Sequence, residues 1–315
     1  MDSPHTSRRR FLAAGLAAGT LMSRACGDAS GQRRFTLDLT PGAIGVSGTL
    51  PDIIRLAEAH GFESVQPDAG WLVLQDAEGR RRVTEALVRA ELRWGSANLP
   101  VDFRGSDDVF ERDVAALPAV AAALQSVGAT RIGTWISPGH NELSHADNME
   151  RHARRLRQTA QVLSDYGIRL GLEYVGTPSL RARFRHSFIH NLSGTRELIG
   201  AIGVPGTGVI LDSWHWWTSG DTENSIRRLT NRDLVAVDLN DAPAGVPLAE
   251  LQDNRRELPA ATGVIPVKVF LEALVAVDYD GPVRAEPFNA ALNALDNEAA
   301  AAATIVAIRR AVALA

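Results

Sequence analysis

Four apolar runs in the second half of the chain end on an acid: Gly171-Leu172-Glu173-Tyr174, Ile210-Leu211-Asp212-Ser213, Val237-Asp238-Leu239-Asn240-Asp241 and Arg284-Ala285-Glu286-Pro287. A carboxylate in an apolar strand carries a desolvation cost unless something positive meets it. Any one of these acids is equally well read as a helix cap or the partner of an arginine. Four in succession favour a shared site, where they would repel one another until a divalent cation relieved the repulsion. Oxygen ligands suit Mg²⁺ or Mn²⁺. His215 follows Asp212 by three positions and can reach the same place as a substrate ligand, a metal ligand or an acid–base group. The alternative is a structural histidine satisfied in the core. Trp214, Trp216 and Trp217 crowd that turn, and Trp71 and Trp135 lie near the ends of earlier units. Each offers a face for a sugar ring or for packing against the fold.

These acids need a scaffold that brings strand ends together. From Arg34 onward one unit repeats, a short apolar run ending in polar residues or Gly and then an amphipathic helical stretch. Eight strand candidates result: Phe35–Thr40, Glu63–Pro67, Arg93–Asn98, Arg131–Ser137, Arg169–Val175, Gly208–Ser213, Leu234–Asn240 and Pro282–Pro287. Helical stretches between them include Leu50–His60, Arg80–Glu91, Val109–Val127, His145–Tyr166, Val267–Val277 and Asn297–Ala313. Alternation of this kind implies parallel βαβ units, and eight of them close into an α/β (β/α)₈ TIM barrel. The rival, an open doubly wound sheet, would show a Gly-rich phosphate loop after the first strand; Thr40-Pro41-Gly42-Ala43-Ile44-Gly45 is a loose echo of one. No linker divides residues 34–315, which read as one domain. Two longer stretches, Gly176–Leu192 and Ala242–Thr262, follow the fifth and seventh strands on the face where barrel enzymes build their sites.

The chain has 315 residues, 45% hydrophobic and 22% charged, with a net charge of −4. That excludes a basic field for nucleic acid. Lys268 is the only lysine, at the start of a helical stretch, which argues against a Schiff-base mechanism. Residues 1–30 read as a cleavable twin-arginine signal: Ser7-Arg8-Arg9-Arg10-Phe11-Leu12 precedes a short Ala/Gly-rich run too short to span a membrane. The mature protein is therefore expected outside the cytoplasm, periplasmic or extracellular, with no transmembrane segment. The single cysteine, Cys26, lies in that segment; Ser23-Arg24-Ala25 before it makes a poor lipobox. The body thus has neither disulfide nor thiol nucleophile.

With these residues in hand, the chain resembles the xylose-isomerase-like barrel family of sugar isomerases, ketose 3-epimerases and inosose dehydratases and isomerases. The resemblance spans Phe35 to Ala313. Its specific part is Gly-Leu-Glu at 171–173, Leu-Asp-Ser-Trp-His at 211–215, Leu-Asn-Asp-Ala-Pro at 239–243, Gly-Val-Ile-Pro at 263–266 and Tyr-Asp-Gly-Pro-Val-Arg-Ala-Glu-Pro-Phe at 279–288. It implies metal ligands at Glu173, Asp212, Asp238 and Glu286. The strand-seven position departs from the family, carrying Asp238 where a histidine is usual, and Asp241 is the alternative occupant of that role. An all-oxygen set makes one Mn²⁺ or Mg²⁺ a better fit than Zn²⁺. The resemblance further implies Glu173 and Glu286 as the catalytic acid–base pair, His215 as a substrate ligand, and Arg256, with Arg255 as near-miss, as the substrate-binding arginine.

The implied chemistry is proton abstraction next to a carbonyl of an unphosphorylated sugar, keto-sugar or inosose. The same apparatus serves a 3-keto-glycoside or inosose lyase or dehydratase. An exported sugar-binding protein without catalysis is the alternative of another class, kept open by Asp238. An endonuclease, found on this same barrel, would need more histidine ligands and a basic cleft. Barrels of this kind often form dimers or tetramers.

Overall fold

The computed structural model describes residues 33–315; the expected export signal and Cys26 lie outside the described residues. All eight expected strands form: β1 (Thr36–Leu39), β2 (Ser64–Val65), β3 in two pieces (Arg93–Trp94 and Ala97–Asn98), β4 (Arg131–Ile136), β5 (Arg169–Tyr174), β6 (Thr207–Asp212), β7 (Leu234–Leu239) and β8 (Pro282–Ala285). Each pairs in parallel with its neighbours, β3 with β2, then β1, β8, β7, β6, β5 and β4. The second piece of β3 pairs with β4. Both ends of the sheet are thus pieces of one strand, separated by Gly95 and Ser96, and the sheet closes into a barrel. No helix among the described residues is long and apolar enough to cross a membrane.

The principal outer helices are α1 (Leu50–His60), α2 (Ala77–Arg89), α3 (Asp107–Ser126), α4 (His145–Asp165), α5 (Leu192–Ile202), α6 (Ser213–Ser219), α7 (Val267–Ala276) and α8 (Asn297–Val312). Side-chain oxygens start several of them, as the N-cap bonds of Ser106 to Val109, Ser144 to Asp147 and Asp296 to Ala299 show. Gly61 ends α1 at φ +71°, a left-handed conformation that glycine adopts without cost. Lys268 lies in α7, bonded to the Leu314 carbonyl at 2.7 Å and close to Glu272.

Inside the barrel, β4 and β5 turn glycines inward. A Cβ on Gly133 or Gly171 would come within 2.3 or 2.7 Å of the Ile210 side chain. Ile210 from β6 fills that space, and the barrel beneath the polar end is packed rather than open. The stretch expected to be irregular, Gly176–Leu192, contains a short helix (Pro178–Arg181) and the segment His186–Ser187, which pairs antiparallel with Gly139–His140.

His152, on α4, is buried between Phe103 and Phe188. Its Nδ1 lies 2.9 Å from the Asn148 carbonyl, which can only accept, so Nδ1 carries the proton; Nε2 has no partner. Burial pushes its pKa down to about 4. The unfolded chain, with a histidine near 6.5, takes up a proton first, so stability falls as pH drops from above 6.5 towards 4. This group alone should remove roughly 2 kcal/mol between pH 7 and pH 5. Urea midpoints at the two pH values measure it. His152→Leu should flatten the dependence, and an equally steep loss in the variant would contradict the assignment.

Candidate metal centre

The strand register builds the site. Asp212 on β6 pairs with Asp238 on β7, Asp238 with Arg284 on β8, Arg284 with Asp38 on β1, and Asp38 with Ser64 on β2. A polar row therefore crosses five neighbouring strands at one level. Side chains alternate along a strand. Asn240 follows Asp238 on the inward parity, and Glu286 follows Arg284. Glu173 sits two places beyond the inward Gly171.

Two buried arginines meet these acids. Arg256, from the loop after β7, donates through Nη1 to Asp212 Oδ2 at 2.8 Å and Glu286 Oε2 at 3.3 Å, and through Nη2 to Asp253 Oδ1 at 3.1 Å. Its Nε donates to the Asp253 carbonyl at 2.7 Å. The guanidinium lies 4.9 Å from the Phe288 ring, whose residue sits at φ +43° immediately past the Glu286-Pro287 pair. Arg256, not the exposed Arg255, is thus the arginine of the site. Its donors already meet Asp212, Asp253, Glu286 and His215. Arg284 engages both oxygens of Asp238, through Nε and through Nη2 at 3.0 Å. Asp238, expected as the fourth ligand, is in the cluster but already held.

Asp212 Oδ1 accepts from the Trp214 amide at 2.8 Å and Asn240 Nδ2 at 2.9 Å. Asn240 Oδ1 in turn accepts from the Glu286 amide at 3.0 Å. Asn240 therefore ties β6 to β8, a role that sequence reasoning missed although its parity with Asp238 pointed inward. Gly176 allows the chain to approach His215 closely: a Cβ there would lie 2.5 Å from the His215 carbonyl. The Gly176 amide donates to His215 Nδ1 at 3.2 Å. Nε2 in turn lies 3.3 Å from Arg256 Nη2, so both ring nitrogens face donors. Nε2 faces Glu173 Oε1, Asp212 Oδ2 and Asp253 Oδ1, each at 3.7 Å. Burial, with Arg256 nearby, pushes the His215 pKa down to about 3, so the ring is neutral at physiological pH.

Four carboxylates, Glu173, Asp212, Asp238 and Glu286, thus face two guanidinium groups. Burial first, and mutual repulsion second, drive Glu173 well above the ordinary carboxylate range and Glu286 up to about 8. Burial also raises Asp212 to about 6, against the pull of Arg256. Glu173 Oε1 is buried with no hydrogen-bond partner. The ligand atoms of Glu173, Asp212 and His215 lie within 4.8 Å of one another, as do those of Glu173, Asp238 and Glu286. An excess of negative charge, an orphaned carboxylate oxygen and an oxygen-rich set fit a divalent cation.

Asp241 belongs to the loop, not the cluster. Its carboxylate accepts four backbone amides, those of Ala242, Thr262, Gly263 and Ile265, at 2.7 to 2.9 Å. Asp241→Ala should therefore cost about 3 kcal/mol or more by stranding these donors. A denaturant titration showing under about 1 kcal/mol would contradict this staple role.

The cavity above the cluster, about 220 Å³, is walled by Trp135, Val175, Leu180 and Phe288 and floored by Glu173, His215, Arg256 and Glu286. Of the five tryptophans considered, Trp135 is the one on this wall, 46% exposed with Arg104 stacked at 4.3 Å. Trp214 and Trp216 are core residues: the Trp214 indole donates to Thr177 Oγ1 at 2.8 Å, and Trp216 packs on Phe270.

A closed (β/α)₈ barrel with carboxylates gathered at the ends of β5 to β8 defines a class, and comparison with known proteins agrees. The chain belongs to the xylose isomerase-like TIM barrel family, whose model matches residues 54–311. Among solved structures, a xylose isomerase domain protein from Alicyclobacillus acidocaldarius is 30% identical, with a TM-score of 0.78 over 89% of this chain and 99% of that one. The fold is shared with the IOLI protein, solved with a bound zinc atom (16% identity, TM-score 0.74, 89% of this chain and 98% of that one). It is also shared with the D-psicose 3-epimerase of Clostridium cellulolyticum, solved with D-tagatose (16%, TM-score 0.65, 84% and 94%). The inosose isomerase of Bacillus velezensis is 23% identical over 136 residues, 43% of this chain and 45% of that protein. The Bacillus subtilis inosose isomerase matches similarly, 23% over 133 residues. The matched segment thus spans less than half the length of these curated relatives.

Proposed function

We propose that this protein is a divalent-metal-dependent isomerase or epimerase that moves a proton next to the carbonyl of an unphosphorylated sugar, keto-sugar or inosose. The observation that carries this reading is the pair Glu173 and Glu286. Glu173 is buried and Glu286 partly so, their ligand atoms lie within 4.8 Å of each other, both are raised above their ordinary range, and they floor a cavity of about 220 Å³. A Glu286 raised to about 8, near the working pH, suits a group that holds and returns a proton. Glu173 would be held ionised by a bound cation, so that its orphaned Oε1 is the acceptor, while Glu286 holds the proton to be returned. His215, neutral, lies beside them at the floor of the cavity and faces the substrate. Arg256 keeps Asp212 and Glu286 in place beneath the substrate, and Trp135 and Phe288 supply apolar walls for a ring. Glu173, Asp212 and Glu286, with His215 beside them, would hold the cation. When bound, Mn²⁺ or Mg²⁺ supplies positive charge that offsets the charge developing on the carbonyl oxygen as the proton leaves. The twin-arginine pattern at residues 7–12 favours export, and with it a substrate without a phosphate group.

The test is exchange with solvent. A panel of ketoses and inososes in D₂O with Mn²⁺ should show deuterium entering at one carbon next to the carbonyl, read by NMR. Loss of a substituent β to the carbonyl in the same spectra would make the enzyme a lyase. Binding of a sugar without any exchange would leave a sugar-binding protein.

A further inference from the structure

The departure at strand seven has a structural counterpart one strand away. Asp238 is fully buried, and both its oxygens are taken by Arg284, through Nε and through Nη2 at 3.0 Å. Arg284 is rooted in β8, between Asp238 on β7 and Asp38 on β1 in the same register row. Its Nη2 also lies 3.9 Å from Glu286 Oε1. A two-point guanidinium–carboxylate pair is geometrically specific, and burial makes separating it costly. A cation placed against Asp238 would also sit beside the Arg284 guanidinium, so attraction to one is cancelled by repulsion from the other. Arg256 meets Asp212 through one oxygen only and divides its charge among Asp212, Asp253 and Glu286, so its opposition to a cation there is weaker. Glu173 Oε1 has no partner at all.

We propose that Arg284 withholds Asp238 from the metal, so that the cation rests on Glu173, Asp212 and Glu286 alone among the carboxylates. The Asp238–Arg284 pair is then a positioning device that holds Glu286 from the barrel side. This inference rests on the metal-dependent reading above, and one calorimetric series separates the two.

Full-length, metal-stripped protein is titrated with Mn²⁺ as wild type, Glu173→Gln, Asp238→Asn, and Asp238→Asn combined with Arg284→Gln. Wild type should take up one equivalent, and Glu173→Gln should weaken binding by more than the roughly 10–100-fold that loss of an outer-shell partner costs. Asp238→Asn alone should weaken binding, because it leaves a bare guanidinium beside the cation. The double variant, which removes the pair as a neutral unit, should return to within about threefold of wild type, a difference under about 1 kcal/mol. A double variant that stays thirtyfold or more weaker makes Asp238 a ligand and overturns this inference while leaving metal dependence intact. A wild type that takes up no Mn²⁺ overturns the metal reading itself.

The unsubstituted protein gives a second measurement that does not depend on a variant folding. The Arg284 Nε–H signal in ¹⁵N NMR should keep its shift and its protection from exchange on saturation with Mg²⁺. Loss of that protection would mean that Asp238 turns to the metal, against the proposal.

Discussion

Replacing Glu173 with glutamine is expected to remove Mn²⁺ binding and to slow proton exchange by roughly 10²–10⁴-fold, the usual contribution of a positioned acid or base. The same substitution should leave the metal-free protein at least as stable as wild type. Glu173 is buried against Asp212, Asp238 and Glu286, and its Oε1 has no donor to meet it. A neutral amide of the same shape relieves that repulsion. This combination, function lost and melting temperature held or raised, distinguishes a site carboxylate from a structural one. A Glu173→Gln protein that melts well below wild type yet still exchanges solvent protons would show that the group serves packing.

Arg256→Met is expected to act in the opposite sense. Arg256 is 2% exposed and is the shared counter-ion of Asp212, Asp253 and Glu286. Removing one partner of a buried ion pair typically costs about 3–5 kcal/mol, because the remaining charge has no compensation. Chemical denaturation of the metal-free variant should show a loss of that size. Adding Asp212→Asn should recover part of it, since one stranded charge is then gone. A loss below about 1 kcal/mol would mean that the pairs contribute little and that the carboxylates are already protonated.

The architecture was largely legible because it rests on period and punctuation. Every strand expected from an apolar run is found, and α1 begins and ends at the expected residues, Leu50 and His60. The helix starts at His145, Val267 and Asn297 also match, and the remaining helix ends differ by one to three residues: α2 starts at Ala77 rather than Arg80, behind the Asp76 cap. The acids at the ends of β5 to β8 were legible for the same reason, since an inward carboxylate interrupts a run that is otherwise buried. Their partners were not. Arg256 comes from a loop with no period to place it, and the motif alone left Arg255 as a rival. Arg284 stood in plain view two residues before Glu286, on the inward parity, but only the register with β7 shows that it closes on Asp238. The tryptophans stayed open between two roles for a related reason. Ser213–Ser219 continues β6 directly as a helix, and that turns Trp214 and Trp216 into the core, leaving Trp135 to wall the cavity.

The central claim is that these strand-end acids form one site for a divalent cation. Calorimetric titration of the metal-stripped wild-type protein with Mn²⁺, Mg²⁺ and Zn²⁺ in turn, at neutral pH, tests it most directly. One equivalent of a divalent ion per chain, with a proton released to the buffer as Glu173 gives up its raised proton, is the predicted result. No uptake of any of the three ions would contradict the account and leave a barrel whose acids serve only Arg256 and Arg284.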